Sequence, residues 1–283
     1  MWNWVAQLEA LRQLARPLVL ITITRCSGST PRETGAKMIV LEDRTIFGTI
    51  GGGHFEELAI RDALVCLEKN ESQVFKYPLG AKTGQCCGGV VEVLVEVLNN
   101  GPILYLFGVG HVGQALCRVL EGTPFTVVAI DDRDEWINST RIPGEVLKRH
   151  GEWKDFVQEI GWDSRKTYVA VMTHRHDRDQ EIIEYAIRRD AAYIGLIGSQ
   201  SKWARFRQRL LPRGLSEAAL ARVKCPIGIA TGGKAPQEIA ISIGAELLKV
   251  YYNGLATQKD HSAPPRRGQI EPDGFAQRPA SFS

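Results

Sequence analysis

The segment ILYLFGVGHVGQAL, residues 103–116, constrains the fold of this chain more than any other feature. It begins with an apolar run typical of a buried strand and ends with residues that favour a helix. Between the two, Gly108, Gly110 and Gly113 have the GxGxxG spacing. That spacing is informative only where it joins a strand to a helix, as it does here. The segment therefore predicts a Rossmann-like unit, whose helix N-terminus offers N–H groups to a phosphate.

The rest of the chain divides around this segment. After it, the apolar runs FTVVAI, TYVAVM and AYIGLIG alternate with helix-favouring stretches, which predicts a parallel sheet covered on both faces. Before it, VVEVLVEVL reads as a strand with one polar face, and Asn, Asn, Gly and Pro at 99–102 predict a turn. We therefore expect an α/β protein with an N-terminal α+β domain (1–100), a Rossmann-like parallel-sheet domain (101–255) and a disordered tail (256–283).

Asp131 and Asp132 follow the second strand of the predicted Rossmann-like domain, 18 and 19 residues after Gly113. A carboxylate at this place hydrogen-bonds the ribose of a bound dinucleotide in many such domains. The same glycines would also be needed if the strand and the helix only packed closely together, without a ligand. The sequence leaves both interpretations open, so NAD(P) is a candidate cofactor rather than an established one.

Composition narrows the class of protein. A net charge of +3 over 283 residues, with no basic stripe, argues against nucleic-acid binding. The apolar run at residues 18–23 is far too short to span a membrane, and the N-terminal residues do not resemble a secretory signal. Six cysteines without a regular framework are typical of a reduced cytoplasm. We expect a soluble cytoplasmic protein.

Three segments of the first domain are rich in glycine and small polar residues: RCSGSTPRETGAKM (25–38), GTIGGGHFEE (48–57) and TGQCCGG (83–89). Glycine permits positive φ angles and lets a ligand approach the backbone closely. Successive N–H groups in such turns form concave anion-binding nests. Three segments of this kind in one domain predict a binding site rather than simple turns.

The adjacent Cys86 and Cys87 allow several interpretations. A structural zinc site prefers CxxC pairs, and a vicinal disulfide requires a distorted peptide and an oxidising setting. Burial of both thiols would be a purely structural role. A glycine-flanked polar loop exposes its side chains, however, and nearby N–H groups favour a thiolate. A thiolate beside an anion nest suits sulfur chemistry or a soft metal.

Three motifs of the second domain are open as well. His174 and His176 follow the strand TYVAVM, where open α/β sheets place ligands, but THRHDRD would also serve as a helix cap with Asp179. Lys202, Arg205, Arg207 and Arg209 predict a charged outer helix face, with the docking of a partner as the alternative. Lys234, in GGKAPQE, would contact a phosphate or simply lie exposed.

Seven motifs, taken in order, resemble the XdhC family of xanthine dehydrogenase accessory proteins: GSTPRETGAKM, GTIGGGHFEELAI, GQCCGG, FGVGHVGQAL, THRHDRDQEI, YIGLIGSQSKWARFRQRL and CPIGI…GGKAPQEIAISIGAELL. The resemblance covers about residues 3–252. It implies an N-terminal cofactor-binding domain and a chaperone that binds molybdenum cofactor (molybdopterin), supports the exchange of an oxo ligand of molybdenum for sulfur, and delivers the cofactor to apo xanthine dehydrogenase. It also implies a cysteine desulfurase as sulfur donor, and a homodimer.

The same resemblance assigns residues by position. The cofactor-binding residues that match the GGGHxE and QCCGG motifs of the family are Gly51, Gly52, Gly53, His54, Glu56, Gln85, Cys86, Cys87, Gly88 and Gly89. Cys86 and Cys87 would contact the molybdenum of the cofactor or its sulfur. His174, His176 and Asp179 match a THxHxxD stretch, in which Arg175 replaces an acidic residue common in the family.

Three hypotheses about function follow. The first is a maturation factor with no catalytic residues of its own. The second is an NAD(P)-dependent oxidoreductase that uses Gly108, Gly110, Gly113 and Asp131, with the cysteine loop near its substrate. The third is a docking protein without a bound cofactor. The first is favoured because no evident proton donor completes a hydride-transfer site.

Overall fold

The computed structural model describes residues 2–80 and 88–262 of the chain. The first half forms an antiparallel sheet with strand order β3-β2-β1-β5-β4. Its elements, in chain order, are α1 (Trp4–Gln13), β1 (Leu18–Ser27), β2 (Lys37–Leu41), β3 (Ile46–Gly48), α2 (Gly53–Lys69), β4 (Gln73–Pro78) and β5 (Val90–Leu98).

Strand β1 lies inside this sheet and is covered on both faces. Val19 and Ile21 contact the core under α2, whereas Leu18 and Leu20 contact a smaller cluster that includes Leu11 of α1. A strand buried on both faces reads as a continuous apolar run, which explains the LVLI sequence of β1. Strand β5 alternates instead, because only one of its faces is fully buried, as its sequence predicted.

The second half forms a parallel sheet with strand order β11-β10-β9-β6-β7-β8. Its elements, in chain order, are β6 (Ile103–Phe107), α3 (His111–Val119), β7 (Thr126–Asp131), α4 (Asp134–Ile137), β8 (Leu147–His150), α5 (Trp153–Phe156), β9 (Thr167–Val171), α6 (His176–Ile187), β10 (Tyr193–Leu196), α7 (Gln200–Leu210), α8 (Glu217–Ala221), β11 (Val223–Lys224) and α9 (Pro236–Ser262).

This sheet has the Rossmann order. Counted from β6 as the first strand, the order across the sheet is 3-2-1-4-5-6, in which the direction reverses between β6 and β9. Helices α3 and α9 pack on one face, and α6 and α7 pack on the other. The predicted α/β fold, with an α+β part followed by a Rossmann-like parallel sheet, is confirmed.

Two neighbouring crossovers of this sheet lack a long helix. The β7–β8 crossover holds the one-turn helix α4, and the β8–β9 crossover holds the one-turn helix α5 and a short 3-10 turn at Val157–Glu159. Such short elements cover little of a sheet face. Part of the face formed by β6, β7 and β8 is therefore left to other groups, among them residues 14–17 of the first half.

Polar contacts join the two halves. Arg149 donates to the carbonyl oxygen of Gln13 at 3.2 Å, and Lys166 donates to the side-chain oxygen of Asn100. The two sheets lie on either side of the predicted boundary at residue 100, although the domain limits themselves stay a prediction.

Helix α9 continues through Ser262, beyond residue 256, where the tail was predicted to begin. Residues 256–262 contain no glycine or proline, so nothing in them ends a helix, and the first proline comes at 264. The rest of the predicted tail lies outside the described residues. Among the helices of residues 2–80 and 88–262, none is both long enough and apolar enough to cross a membrane.

Candidate functional site

The glycine-rich segments of the first domain meet at one end of its sheet. A Cβ placed on Gly89 would lie 2.3 Å from the carbonyl oxygen of Ser29, so the third segment packs directly on the first. A Cβ placed on Gly51 would lie 2.5 Å from Cγ of Pro31, so the second segment packs on the first as well. Because no side chain fits at either contact, glycine is required at both positions.

The GGG turn begins α2 with an unusual backbone. Gly51, Gly52 and Gly53 have φ angles of 140°, 77° and 65°, a run that L-residues with a side chain adopt only with strain. The Glu56 carboxylate accepts hydrogen bonds from the N–H groups of Ile50 at 3.1 Å and Gly52 at 3.0 Å. Part of the predicted anion nest is thus filled by the protein's own carboxylate.

The other groups of this turn point to solvent. His54 and Gly53 are exposed at the start of α2, and the Glu56 carboxylate also accepts from the Thr49 hydroxyl at 2.5 Å. Glu56 therefore holds the turn in shape, while His54 is available to a ligand. The family resemblance assigned Glu56 to the cofactor. The signal for a capping role was an acidic residue in the first turn of a helix.

Arg32 lies in the first segment and is exposed. Within the part of the chain that the structure describes, its guanidinium has no carboxylate partner. The half-buried Cys26 thiol is held by the carbonyl oxygen of Arg32 at 3.4 Å. An unpaired arginine beside glycine-rich turns is suited to a phosphate, because its fork of N–H groups matches phosphate oxygens.

The cysteine loop leaves the sheet next to these groups. Leu79 donates its N–H to the carbonyl oxygen of Gly89 at 2.7 Å, so the β4–β5 hairpin stays paired up to the base of the loop. Gly88 is described and exposed. Gln85, Cys86 and Cys87 lie outside the described residues, so their predicted cofactor and metal contacts stay predictions.

The GxGxxG turn of the second domain is closely packed. A Cβ on Gly108, whose φ is 96°, would lie 2.4 Å from the carbonyl oxygen of Met172, and a Cβ on Gly113 would lie 2.5 Å from that of Gly108. Packing alone therefore explains these two glycines. Gly110, the N-cap of α3, has only the Arg133 guanidinium near its Cβ position, at 4.0 Å.

Asp131 is buried beside this turn with its acceptor positions in use. Its carboxylate accepts from the Val109 N–H at 2.7 Å, and from the N–H, Nε and Nη2 of Arg133 at 3.0, 2.9 and 2.8 Å. A carboxylate has about four acceptor positions, so a ribose hydroxyl would have to displace one of these donors. Burial by itself would raise the pKa of Asp131, but the hydrogen bonds from Arg133 and Val109 outweigh it and lower the pKa.

The crevice at this edge of the sheet is small. Its volume is about 10 Å³, enough for about one water molecule, and Asp132, His174 and Arg178 are among the residues around it. The Arg133 guanidinium stacks over the Trp136 ring at 4.8 Å, which keeps it in place over the turn.

The THRHDRD stretch is organised around Asp179. This fully buried carboxylate accepts from the N–H of Thr173 at 3.0 Å and its hydroxyl at 2.7 Å, and from Lys202 Nζ at 2.7 Å. His174 and His176 are exposed. Among the described residues, no group of three or more histidine, cysteine, aspartate or glutamate side chains is arranged to hold a metal.

The prediction that Lys202 belongs to an exposed charged face is wrong, because only 11% of its side chain is exposed. It links α7 to α6 through Asp179. The spacing of charges along one helix could not show this contact, since the partner lies on another element.

Known proteins resemble this chain in both of its halves. The model of the XdhC Rossmann domain matches residues 104–247, and that of the XdhC and CoxI family matches residues 11–78. The chain is 32% identical over 266 residues to the Escherichia coli (strain K12) protein YqeB, covering 92% of this chain and 49% of YqeB.

Two further relatives carry descriptive names. A protein of Bacillus subtilis (strain 168), named as a probable subunit of xanthine dehydrogenase, is 26% identical over 158 residues, 56% of this chain and 46% of that protein. The molybdenum cofactor insertion chaperone PaoD of Escherichia coli (strain K12) is 23% identical over 285 residues, 87% of this chain and 86% of PaoD. The chain thus spans about half the length of the first two relatives. With one family model matching more than half of its residues and a second matching its first domain, the chain belongs to the XdhC family.

Proposed function

We propose that this protein is a molybdenum-cofactor chaperone that serves the maturation of a xanthine dehydrogenase. Membership of the XdhC family supports the proposal, as do the names of two relatives, a molybdenum cofactor insertion chaperone and a probable subunit of xanthine dehydrogenase. The observation that carries it is the convergence of three glycine-rich segments at the base of the cysteine loop. The cofactor is cargo in this proposal, so the protein needs to hold it and release it.

The chemistry of the converging groups fits such cargo. Molybdopterin carries a phosphate, and Arg32 is an exposed guanidinium without a carboxylate partner among the described residues. His54 lies exposed at the N-terminus of α2, where the helix dipole favours an anion. Cys86 and Cys87, in the loop that begins and ends beside these groups, would supply soft ligands to molybdenum or to its sulfur.

The finer steps belong to the same proposal. We infer that the bound cofactor is sulfurated with sulfur from a cysteine desulfurase, that the protein acts as a homodimer in the cytoplasm, and that it delivers the cofactor to apo xanthine dehydrogenase. The Rossmann-like domain would act as a scaffold or docking surface. The Asp131 carboxylate already accepts four hydrogen bonds from Val109 and Arg133, which argues against hydride transfer with NAD(P) at this edge.

The test is cofactor binding by protein purified without oxygen. We expect bound molybdopterin in the parent protein, and a large loss in the double variant Cys86→Ser, Cys87→Ser, since a hydroxyl is a poor ligand for a soft metal and cannot form a persulfide. Cys225→Ser, in the second domain, is the matched control. Native mass spectrometry would identify the bound species, and activation of apo xanthine dehydrogenase would measure delivery.

A second pair of variants separates phosphate binding from sulfur chemistry. Arg32→Gln should weaken binding of the cofactor about tenfold, because one charge-assisted contact is lost. Arg165→Gln, an exposed arginine of the second domain, should leave binding unchanged.

If the double serine variant folds, retains the cofactor and activates the enzyme as well as the parent does, the proposed site is wrong.

A further inference from the structure

A cavity lies where the short β8–β9 crossover leaves the Rossmann sheet uncovered. Its volume is about 610 Å³, within the range of about 300–1,000 Å³ that small-molecule sites occupy. The cavity is partly open to solvent and lies between the sheet face and the first half of the chain.

Both halves of the chain build the cavity. Its floor is the sheet, with Ile103 and Tyr105 of β6 and Val128 of β7, and residues 14–17 of the first half close it from the other side. It lies at the start of β1, whereas the glycine-rich segments lie at its end. Ten residues of strand separate the two sites by about 30 Å. The cavity is thus distinct from the proposed cofactor site.

Two cations in the wall have no carboxylate partner among the described residues. Arg149 donates to the carbonyl oxygens of Lys148 and Gln13, both at 3.2 Å. Lys166 donates to the side-chain oxygen of Asn100, and its burial lowers its pKa. Carbonyl and amide oxygens orient these cations but do not neutralise them, so both favour an anion in the cavity.

Three acidic side chains also line the cavity, and among the described residues none of them forms an ion pair with Arg149 or Lys166. Asp163 is paired with Arg165 at 3.3 Å, and the cation Arg16 is paired with Asp43 at 2.8 Å. Glu42 and Glu159 are exposed, where water screens their charge. Asp163 and Glu42 offset part of the Lys166 charge through space, so Arg149 is the main attraction for an anion.

Aromatic groups supply the rest of the lining. Phe156 and Trp162 come from the crossover and Tyr105 from the floor, all of them half-buried. Within the described part of the chain, neither the Tyr105 hydroxyl nor the Trp162 indole N–H has a hydrogen-bond partner. Burial raises the pKa of Tyr105, which keeps its hydroxyl protonated as a donor. Flat apolar faces and unused donors together suit a planar ring that carries acceptors.

We propose that this cavity binds a planar aromatic or heteroaromatic small molecule with one negative charge, held by Arg149 and Lys166 and covered by Trp162. The proposal does not depend on the proposed chaperone function. Because residues of both halves line the cavity, the bound molecule would also hold the two halves in a fixed arrangement.

The test uses three probes with the same naphthalene ring, similar size and different charge: 2-naphthoate, the neutral 2-naphthamide and the cationic 2-naphthylmethylamine. Isothermal titration calorimetry with the full-length protein should show binding of the anion, at least tenfold weaker binding of the amide, and no binding of the cation. Equal binding of all three, or binding of none at millimolar concentration, would overturn the proposal.

Variants locate the binding. Arg149→Gln should weaken naphthoate binding at least tenfold, whereas Arg207→Gln, an exposed arginine of α7 that pairs with Glu217 away from the cavity, should not change it. Arg149 also contacts the first half, so a second variant is needed in case its loss disturbs folding. Gly161 lines the cavity and has open space around its Cβ position, so Gly161→Trp should fold and block the probe. Undiminished binding in folded Gly161→Trp would place the probe elsewhere and refute the assignment.

Discussion

Asp131→Asn should destabilise the second domain strongly, although it changes a single atom of the side chain. The carboxylate is 2% exposed and accepts from Arg133 and from the Val109 N–H of the glycine-rich turn. An asparagine amide keeps one oxygen but turns an NH₂ group toward donors, so at least two of these hydrogen bonds are lost. The Arg133 charge is left without its partner.

The magnitude follows from this geometry. Breaking a buried ion pair by removing one partner costs about 3–5 kcal/mol. Arg133 is 25% exposed, so water recovers part of the loss, and we expect the low end, about 3 kcal/mol. Asp132→Asn is the matched control. Its partner Arg178 keeps a second carboxylate, Glu152, at 2.9 Å, so this change should cost about 1 kcal/mol.

Urea unfolding followed by tryptophan fluorescence measures the difference, since four of the six tryptophans lie beyond residue 101. The effect of pH provides a second check. The pKa of Asp131 is lowered in the folded protein, so its stabilisation is present above the ordinary carboxyl pKa of about 4 and is lost as pH falls through the folded value. The difference in free energy of unfolding between the parent and Asp131→Asn should therefore become smaller in acid. A loss below 1 kcal/mol at pH 7, or a gap that widens in acid, would contradict this account.

Three further outcomes are expected. NAD or NADP at millimolar concentration should leave the melting temperature of the parent nearly unchanged, because the Asp131 acceptors are occupied; a stabilisation of about 2.7 kcal/mol, as for ligand at 100 Kd, would refute this. Glu56→Ala should lower the free energy of unfolding of the first domain by about 2 kcal/mol in urea melts, since the GGG turn loses its acceptor, and Glu56→Gln should restore part of it. Asn99 has φ of 54° and a buried amide nitrogen without a partner in the described structure, so Asn99→Gly should be more stable than Asn99→Ala by about 1 kcal/mol in thermal melts.

The fold of the second domain could be predicted from its sequence because each signal there is local. A strand, a GxGxxG turn and a helix follow one another within residues 103–119, and the alternation continues beyond them. The strand order of the first sheet could not be predicted in the same way. Pairing of β1 with β5 joins residues such as Ile21 and Val95, and no local pattern encodes a partner so distant in the chain.

The candidate site shows the same division. The glycine-rich segments were visible in the sequence, but their meeting depends on the β1–β5 pairing that places Gly28 beside Gly89. Asp131 was found by its position at the end of β7. Its hydrogen bonds with Arg133, however, depend on the direction of a side chain two residues away. The residue types of the site could be predicted from the local sequence. The groups that form hydrogen bonds with those residues could be identified only from the fold.

The position of β5 has a consequence for how the chain is made. This strand lies between β1 and β4 in the first sheet, and four residues after it the chain enters β6, which lies inside the second sheet. A nascent chain that stops before residue 90 holds β1 and β4 but not the strand that joins them. The first domain should therefore stay open on the ribosome until β5 has emerged, and then close almost as the first strand of the second domain appears. Any cargo that needs the closed cysteine-loop hairpin would be bound only after that point.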